Sequence, residues 1–588
     1  RFQQEGITMQ GQGFGKPFLL LLCSGATLLY GAGCQQADDR DAPPASMSQG
    51  AGVQDVARDD PAMQDVVAEA ATGRPAPLSV DAAATAAVAD TAPTNGQVAQ
   101  ASHEDADSET SSSDDGGAYG HGKSANNDDK PKLDDQLAAW KEPQLILMLS
   151  GGQHGYLEPC GCAGLDNMKG GLARRHTLVR RLEKLGAPVI GLDAGDLVRR
   201  SGPQAIIKYH RSIDSLLTMR YQAVGFGLPD LRLPATELIA VVPADGRPTP
   251  FVSANIGLFE LGDDTISARY RVFEAGGVKL GVTSVLVGDE LEDVANPDLA
   301  IVDAEEALAE IVPALEAAGC DRLILLVSGD LEAAAALAAG ATQFDFVVTP
   351  GESDPPPPAP SPIEGSQTQR IELSHKGMYV GVLGFFDDAT TPFRYQRLSI
   401  DSRFEDSAEM KAMLASYQEQ LKSEGFERLG IYSQPAPHDD KFVGSKACQA
   451  CHQAEFDIWK ESGHSHGTDT LVHLKPPRQY DAECLSCHVT GWQPQDYVPF
   501  DTGYVDLEKT PHLVGVGCEN CHGPGGAHVA LETAAENGDE VDEDRQDTLY
   551  LQMRNTIADA RKNTCTRCHD LDNSPDFDFD TYWPKIEH

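Results

Sequence analysis

The sequence predicts a multidomain chain: a disordered acidic N-terminal tether, an α/β domain, and a mostly helical and irregular C-terminal domain. Three observations predict it. An Ala-, Asp-, Ser-, Gly- and Pro-rich stretch runs from Gln35 to about Asp135. Apolar strand-like runs then alternate with amphipathic stretches to about residue 400. Beyond residue 440, Cys-x-x-Cys-His recurs four times. At 588 residues the chain is long enough for two or three sizeable cores.

Residues 1–34 read as an export signal. Lys16 precedes the short apolar run "PFLLLLCSGATLLY", and small residues then lead to Cys34. The run is too short and too interrupted by glycine for a membrane-spanning helix. Gly31-Ala32-Gly33-Cys34 resembles a bacterial lipobox, which makes Cys34 the expected lipidation site and lipid the expected membrane anchor. The expected location is the periplasm or the outer face of the cell envelope.

Residues 35–138 form the tether. Between Gln35 and Asp135 there are twenty acidic and six basic residues, and Tyr119 is the one aromatic. Such a segment cannot bury enough apolar surface to offset the entropy of ordering, so disorder is expected. A coil of about 100 residues would span roughly 55 Å root-mean-square.

Residues 139–400 carry the α/β pattern. "PQLILMLSGG", "APVIGLDAGD", "PFVSANI", "VKLGVTSVLV", "CDRLILLVSGD", "FDFVVTP" and "MYVGVLGFF" read as buried strands. "GGLARRHTLVRRLEKLG" and "AEEALAEIVPALEAAG" read as helices between them. "PPPPAPSP", Pro355 to Pro362, reads as an exposed loop. Residues 401–440 read as a connecting polar helix and linker.

Residues 441–588 show weak periodicity, so something other than an aliphatic core must organise them. The motifs are Cys448-Gln-Ala-Cys451-His452, Cys484-Leu-Ser-Cys487-His488, Cys518-Glu-Asn-Cys521-His522 and Cys565-Thr-Arg-Cys568-His569. Two cysteines at this spacing can form thioethers with the vinyl groups of one haem, and the adjacent histidine then becomes the proximal iron ligand. Cys-x-x-Cys pairs also build zinc ribbons, but zinc does not require a histidine directly behind every pair. Four covalently bound c-type haems are therefore expected.

Residues 441–588 hold ten histidines and one methionine, Met553. Removing the proximal four leaves His464, His466, His473, His512, His528 and His588 as distal candidates. Six histidines can serve four irons where one methionine cannot, so histidine–histidine ligation is expected, with low potentials. His528 lies too near its own motif to reach around that porphyrin, and is expected to cap a neighbouring one.

"WKESGHSHGTDTL", "CLSCHVTGW", "GVGCENCHGPGGAH" and "CTRCHDLDNSPDFDFDTYWPKIEH" resemble the tetrahaem cytochrome c-554 family, known for accepting electrons during hydroxylamine oxidation. The resemblance covers about residues 442–588. It implies distal ligands at His464 or His466, at His528 and at a late histidine, here His588. Some members leave one haem five-coordinate.

"GLDAGD", "FVSANI" and "GVKLGVTSV" are similar to the metallophosphatase domain of the UDP-sugar hydrolase/5′-nucleotidase family, which implies an α/β sandwich over about residues 143–400. Such enzymes activate water with two metal ions. Here His154 and Asp196 stand at ligand positions, but Gly152, Leu228-Pro229 and Gly329 replace other ligands, and "TPGESD" offers no histidine. Phosphatase chemistry is therefore expected to be lost. In "HGYLEPCGCAGLDNMKGGLARR", Cys160 and Cys162 could join His154 and Asp196 around an additional soft metal ion, or pair with Cys320. Arg174 and Arg175 could instead shape an anion pocket.

Net charge is −44 with a pI near 4.6, which excludes nucleic acid as a natural partner. The expected function is an exported multihaem c-type cytochrome passing electrons between envelope redox partner proteins, its middle domain an inactive docking domain. The alternatives are a metal-dependent phosphoesterase or nucleotidase, and a redox enzyme for small nitrogen compounds.

Overall fold

The computed structural model describes residues 136–137, 140–159, 168–243, 248–262, 267–351, 353–570, 573–574 and 577–588. The export signal, Cys34, nearly all of the acidic tether, Cys160 and Cys162 lie outside the described residues. Among the described residues no helix is long and apolar enough to cross a membrane.

The alternating pattern builds two sheets. The first is ordered β11-β10-β1-β2-β3 from β1 (Leu145–Ser150), β2 (Val189–Asp193), β3 (Tyr221–Val224), β10 (Tyr379–Phe385) and β11 (Phe393–Ser399). β1 runs parallel to β2 and antiparallel to β10. The second is ordered β8-β9-β7-β6-β5-β4 from β4 (Arg271–Ala275), β5 (Val278–Val287), β6 (Arg322–Gly329), β7 (Phe346–Pro350), β8 (Ser361–Pro362) and β9 (Gln369–Leu373).

Strand periodicity decides what fills each layer. Leu145, Leu147 and Leu149 point one way and pack with Leu280, Ile324, Leu326 and Phe346 between the sheets. Ile146 and Met148 point the other way, onto helices α1 (Leu172–Glu183) and α2 (Pro203–Thr218) through Leu178, Leu182, Tyr209 and Ile213. Leu325 and Val327 of β6 meet Leu308, Ile311 and Leu315 of α3 (Ala304–Ala317) on the far side. The result is a helix–sheet–sheet–helix sandwich. Central strands covered on both faces are apolar without alternation, as the sequence shows.

Three local expectations change. "PFVSANI" makes only isolated bridges at Phe251 and Val252 before the short strand Ile256–Leu258. The proline run is not wholly exposed: Pro356 is buried, its carbonyl accepts from Arg397, and Ser361–Pro362 add an edge strand. The "polar" connecting helix, α5 (Ala408–Arg428), belongs to the sandwich. It buries Met410, Leu414, Tyr417 and Leu421, one helical stripe, in the core of the first layer.

The C-terminal region has short helices and one small apolar cluster around Phe442, Leu485, Trp492 and Leu513. It is gripped by the sandwich at α6 (Ala482–His488), the helix that carries the second motif. Asp481 caps α6 by accepting from the Glu483 amide at 3.1 Å. It also accepts from Gln204 of α2 at 2.8 Å and from the Tyr417 hydroxyl of α5 at 3.2 Å. Lys208 pairs with Glu483 at 2.6 Å. Arg478, its side chain 5% exposed, pairs with Glu158 through two nitrogens.

Burial raises the Glu158 carboxyl above its usual range against the pull of Arg478, so loss of the guanidinium leaves a costly buried anion. Arg478→Ala should therefore destabilise the chain by about 3 kcal/mol. Arg180→Ala, which breaks a half-exposed pair with Glu409, should cost under about 1 kcal/mol. Urea denaturation of the two variants side by side checks this, and equal losses would refute it.

Candidate functional site

Each Cys-x-x-Cys-His folds as one helical turn. The second motif closes α6 and the third forms α7 (Cys518–His522). In the first and fourth, the amides of His452 and His569 donate to the carbonyls of Cys448 and Cys565, both at 2.9 Å. A turn of this kind sets positions i, i+3 and i+4 on one face, with both sulfurs and the imidazole toward the same ligand.

The imidazoles are oriented by their rear nitrogens. His488 Nδ1 meets the Gly467 carbonyl at 2.8 Å and His522 Nδ1 meets the Met553 carbonyl at 2.7 Å. His569 Nδ1 meets the Ser574 hydroxyl at 3.1 Å. Such contacts leave Nε2 for a metal. Burial pushes the pKa of all three rings down, which favours the neutral, ligating form.

The second, third and fourth motifs open on one cavity of about 1830 Å³, into which Cys487, Cys521, Cys565 and Cys568 project. Two other histidines face motif histidines, His464 on the cavity lining and His588 outside that lining. The His464 and His569 ring centroids are 6.1 Å apart with planes at 50°. Those of His522 and His588 are 5.7 Å apart at 41°. An iron bonded at about 2 Å to a nitrogen of each ring places the centroids about 6 Å apart. Burial, and then His569, depress the His464 pKa to about 4, so it too stays neutral.

The attachment cysteines form a chain of neighbours. The Cys448 and Cys518 thiols are neighbours, which sets the first motif beside the third. Burial pushes the Cys521 thiol up to about 12, and the next contributor is Cys565 of the fourth motif. Cys451 of the first motif and Cys521 of the third are both exposed, Cys521 on the cavity and Cys451 3.4 Å from Glu536.

The remaining sequence candidates are not brought into the cavity lining. His466 is exposed, 4.0 Å from Asp469, and His473 is exposed with Nδ1 2.8 Å from the Asp469 carbonyl. His512 lies on an exposed 3-10 turn, Pro511–Leu513. His528 sits on the helix Gly526–Glu536, 3.9 Å from Glu532. Sequence reasoning missed His438, which lines the cavity but precedes residue 441, where the histidine count began.

In the sandwich, the His154 amide donates to the Asp196 carbonyl at 2.9 Å. The His375 ring, also missed in the sequence, lies 6.3 Å from His154 with planes 26° apart. Cys160 and Cys162 of the expected quartet lie outside the described residues. Among the described residues no group of three or more His, Cys, Asp or Glu could hold a metal ion. Asp230 of "GFGLPDL" is a structural clamp, accepting from the amides of Leu197 at 3.0 Å, Val198 at 3.1 Å and Gly227 at 2.9 Å.

Two other expectations are corrected. Cys320 is a free thiol packed with the α3–β6 layer. Arg174 and Arg175 are turned inward, the first to the Met168 carbonyl at 2.8 Å and the second to Gln153 at 2.5 Å. They shape no anion pocket because internal acceptors take their guanidinium groups.

With this geometry in place, the comparisons bear on the C-terminal region. The family model "Cytochrome c554 and c-prime" matches residues 447–523. Residues 447–523 are cytochrome c554-like. The chain is 35% identical over 100 residues to cytochrome c-554 of Nitrosomonas europaea, a match covering 15% of this chain and 40% of that protein. The chain thus spans about two fifths of the length of the curated relative it matches.

Among solved structures, the chain is similar to a 5′-nucleotidase precursor from Thermus thermophilus, with a TM-score of 0.41 and 18% identity over 63% of this chain and 73% of that one. It is also similar to a sulfate thiohydrolase from Thermus thermophilus, with a TM-score of 0.40 and 15% identity over 50% of this chain and 63% of that one.

Two outcomes follow from this geometry. His464→Ala and His588→Ala should each turn one haem high-spin in the oxidised protein and let the reduced protein bind one more carbon monoxide per chain, with covalent haem unchanged. Electron paramagnetic resonance and gas titration check this; an unchanged spectrum in either variant makes that ring a bystander.

The second concerns Asp196, whose carboxyl is raised to about 6 by burial first and Asp193 second. An unfolded Asp titrates near pH 3.9, so the native chain binds the extra proton between about pH 4 and about pH 6, and stability falls as pH rises through that window. Asp196→Asn should remove up to about 3 kcal/mol of that fall. Urea denaturation at both ends of the window reads it, and an equal fall in both proteins contradicts it.

Proposed function

We propose that this chain is an exported multihaem c-type cytochrome, with four covalent haems, that transfers electrons between redox partner proteins of the cell envelope. The observation that carries the reading is the pairing of His464 with His569 and of His522 with His588 at a separation that one iron would span. Each haem, when bound, supplies a one-electron iron couple. The chain's own residues hold it: two sulfurs anchor, one imidazole ligates from the motif, and a second arrives from a distant segment. Rear carbonyls at Gly467 and Met553 fix the ring orientation. Cys448 neighbours Cys518 and Cys521 neighbours Cys565, so attachment points of the first, third and fourth motifs adjoin, which supports exchange between the groups they would carry.

In this reading the sandwich serves as a docking domain without phosphatase activity, and Cys34 carries a lipid anchor. The seam at Asp481 supports the first part, since it fixes α6 and the second motif against α2 and α5. A second reading, a metal-dependent phosphoesterase, is favoured by one observation, the approach of His375 to His154.

Mass spectrometry of denatured protein should find four haems, and three when Cys484 and Cys487 are both changed to Ala. Zinc in place of haem would overturn the reading. Protein supplied with manganese, zinc or cobalt should not hydrolyse nucleotides or bis(p-nitrophenyl) phosphate. Turnover abolished by His154→Ala or His375→Ala would instead favour the phosphoesterase.

A further inference from the structure

A helical hairpin lies beside the large cavity. Its first helix, Gly526–Glu536, and its second, Glu543–Met553, are tied by Gln546, which donates to Glu532 at 3.0 Å. Each helix ends beside a motif. Glu536 lies 3.4 Å from the Cys451 thiol of the first motif, and the Met553 carbonyl meets His522 of the third at 2.7 Å. We propose that the outer face of this hairpin is the docking surface for a basic redox protein. This rests on the multihaem reading above and deepens it, because it names one surface for exchange and the charge of the partner it fits. Whatever the sandwich docks is a separate partner.

The second helix turns apolar side chains to water. Leu549 is its buried residue, with Gln546 and Met553 half-buried on the same side. On the outward side Asp547, Tyr550 and Leu551 stand at i, i+3 and i+4, one stripe, and Asp544 extends it by a turn. Tyr550 and Leu551 are each 63% exposed, and Ile557, just past the helix, is 59% exposed. One exposed apolar residue needs no explanation, but three within eight residues form a patch of the kind that marks an interaction site. The cavity comes to the surface at the same place. Gln552, Arg554, Asn555 and Asp559 line it, and Arg554 and Asp559 are exposed.

Charge then selects the occupant. Residues 532–559 carry nine acidic and two basic side chains, and Glu540, Glu543, Asp544 and Asp547 are all exposed. An apolar centre ringed by charge is the anatomy of a protein interface, and tyrosine is among the residues that anchor one. A basic partner is drawn to such a rim and its encounter is accelerated. A second copy of this chain, with a net charge of −44, would bring like charges together instead. Weak redox encounters bury less than about 1,200 Å², so a patch of this size suffices. A partner seated here lies within one hydrogen bond of the His522 ring through Met553, and beside Cys451 through Glu536.

The experiment uses the full haem-loaded chain. Covalent haem is first counted by mass spectrometry; fewer than four in the wild type defeats the multihaem reading itself, whatever the hairpin does. With four present, the reduced chain is mixed in stopped flow with a ferric, basic monohaem cytochrome c as probe. One electron passes from a ferrous haem of the chain to the ferric haem of the probe, and no bond is made or broken. The second-order rate should fall about tenfold from low salt to high salt. Asp544→Asn with Asp547→Lys should keep four haems, lower the low-salt rate about fivefold and flatten the salt dependence. Asp547→Lys alone reads the same effect if the double variant is poorly made. Tyr550→Ser with Leu551→Ser should lower the rate at high salt as well, since the apolar contact is not screened. The control is Glu305→Gln with Glu316→Lys, the same charge change on two exposed residues of α3. That helix lies on the opposite outer layer from α2 and α5, which hold the C-terminal region, so the rate should stay within about twofold of the wild type. A rate insensitive to salt, or equal slowing by the α3 pair, overturns the proposal. So does a dimer in sedimentation that Tyr550→Ser with Leu551→Ser dissolves, because the face then belongs to a second copy.

Discussion

On the haem reading proposed above, an iron held from one side by a motif histidine would take a second ring from the other, and the two facing histidine pairs of the C-terminal region suit that arrangement. The motif turn supplies two sulfurs and one nitrogen from five consecutive residues. The opposing ring comes from far away in the chain: His464 lies 105 residues before His569, and His588 lies 66 residues after His522. Each such pair is a long-range closure whose entropy coordination would offset, since the region's own apolar cluster is small. Short helices, 3-10 turns and few strands are then what one expects of a chain wrapped around rigid groups.

The sandwich is organised by a different force. Its strands bury both faces, and its three apolar clusters need no ligand. The two regions meet at a polar seam around Asp481, Glu483 and Arg478, where each charge has a partner on the other side. The C-terminal region is thereby fixed at the second motif, and the first motif, with Cys451 exposed, lies at the surface.

Charged groups in the sandwich have structural tasks. Asp230 clamps three amides, and Arg175 reaches inward to Gln153. Asp196 is left half-buried with one oxygen lacking a hydrogen-bond partner. A buried carboxyl without a counter-charge prefers its proton, and this accounts for its raised pKa.

By itself the sequence determined the local chemistry. Four Cys-x-x-Cys-His turns, a surplus of histidine over methionine and buried strands such as "LILMLS" were legible because each depends on neighbours within a few residues. What only the tertiary structure decided was pairing: which histidine faces which, that His375 approaches His154, and that α5 belongs to the sandwich. His438 escaped the sequence reading because a histidine in a linker carries no periodic signal. Its place at the cavity goes with hydrogen bonds from Gln434, Ala436 and Phe442 to a ribbon some sixty residues onward. Long-range closure of this kind is set by packing and loop geometry, and no short window of sequence encodes it.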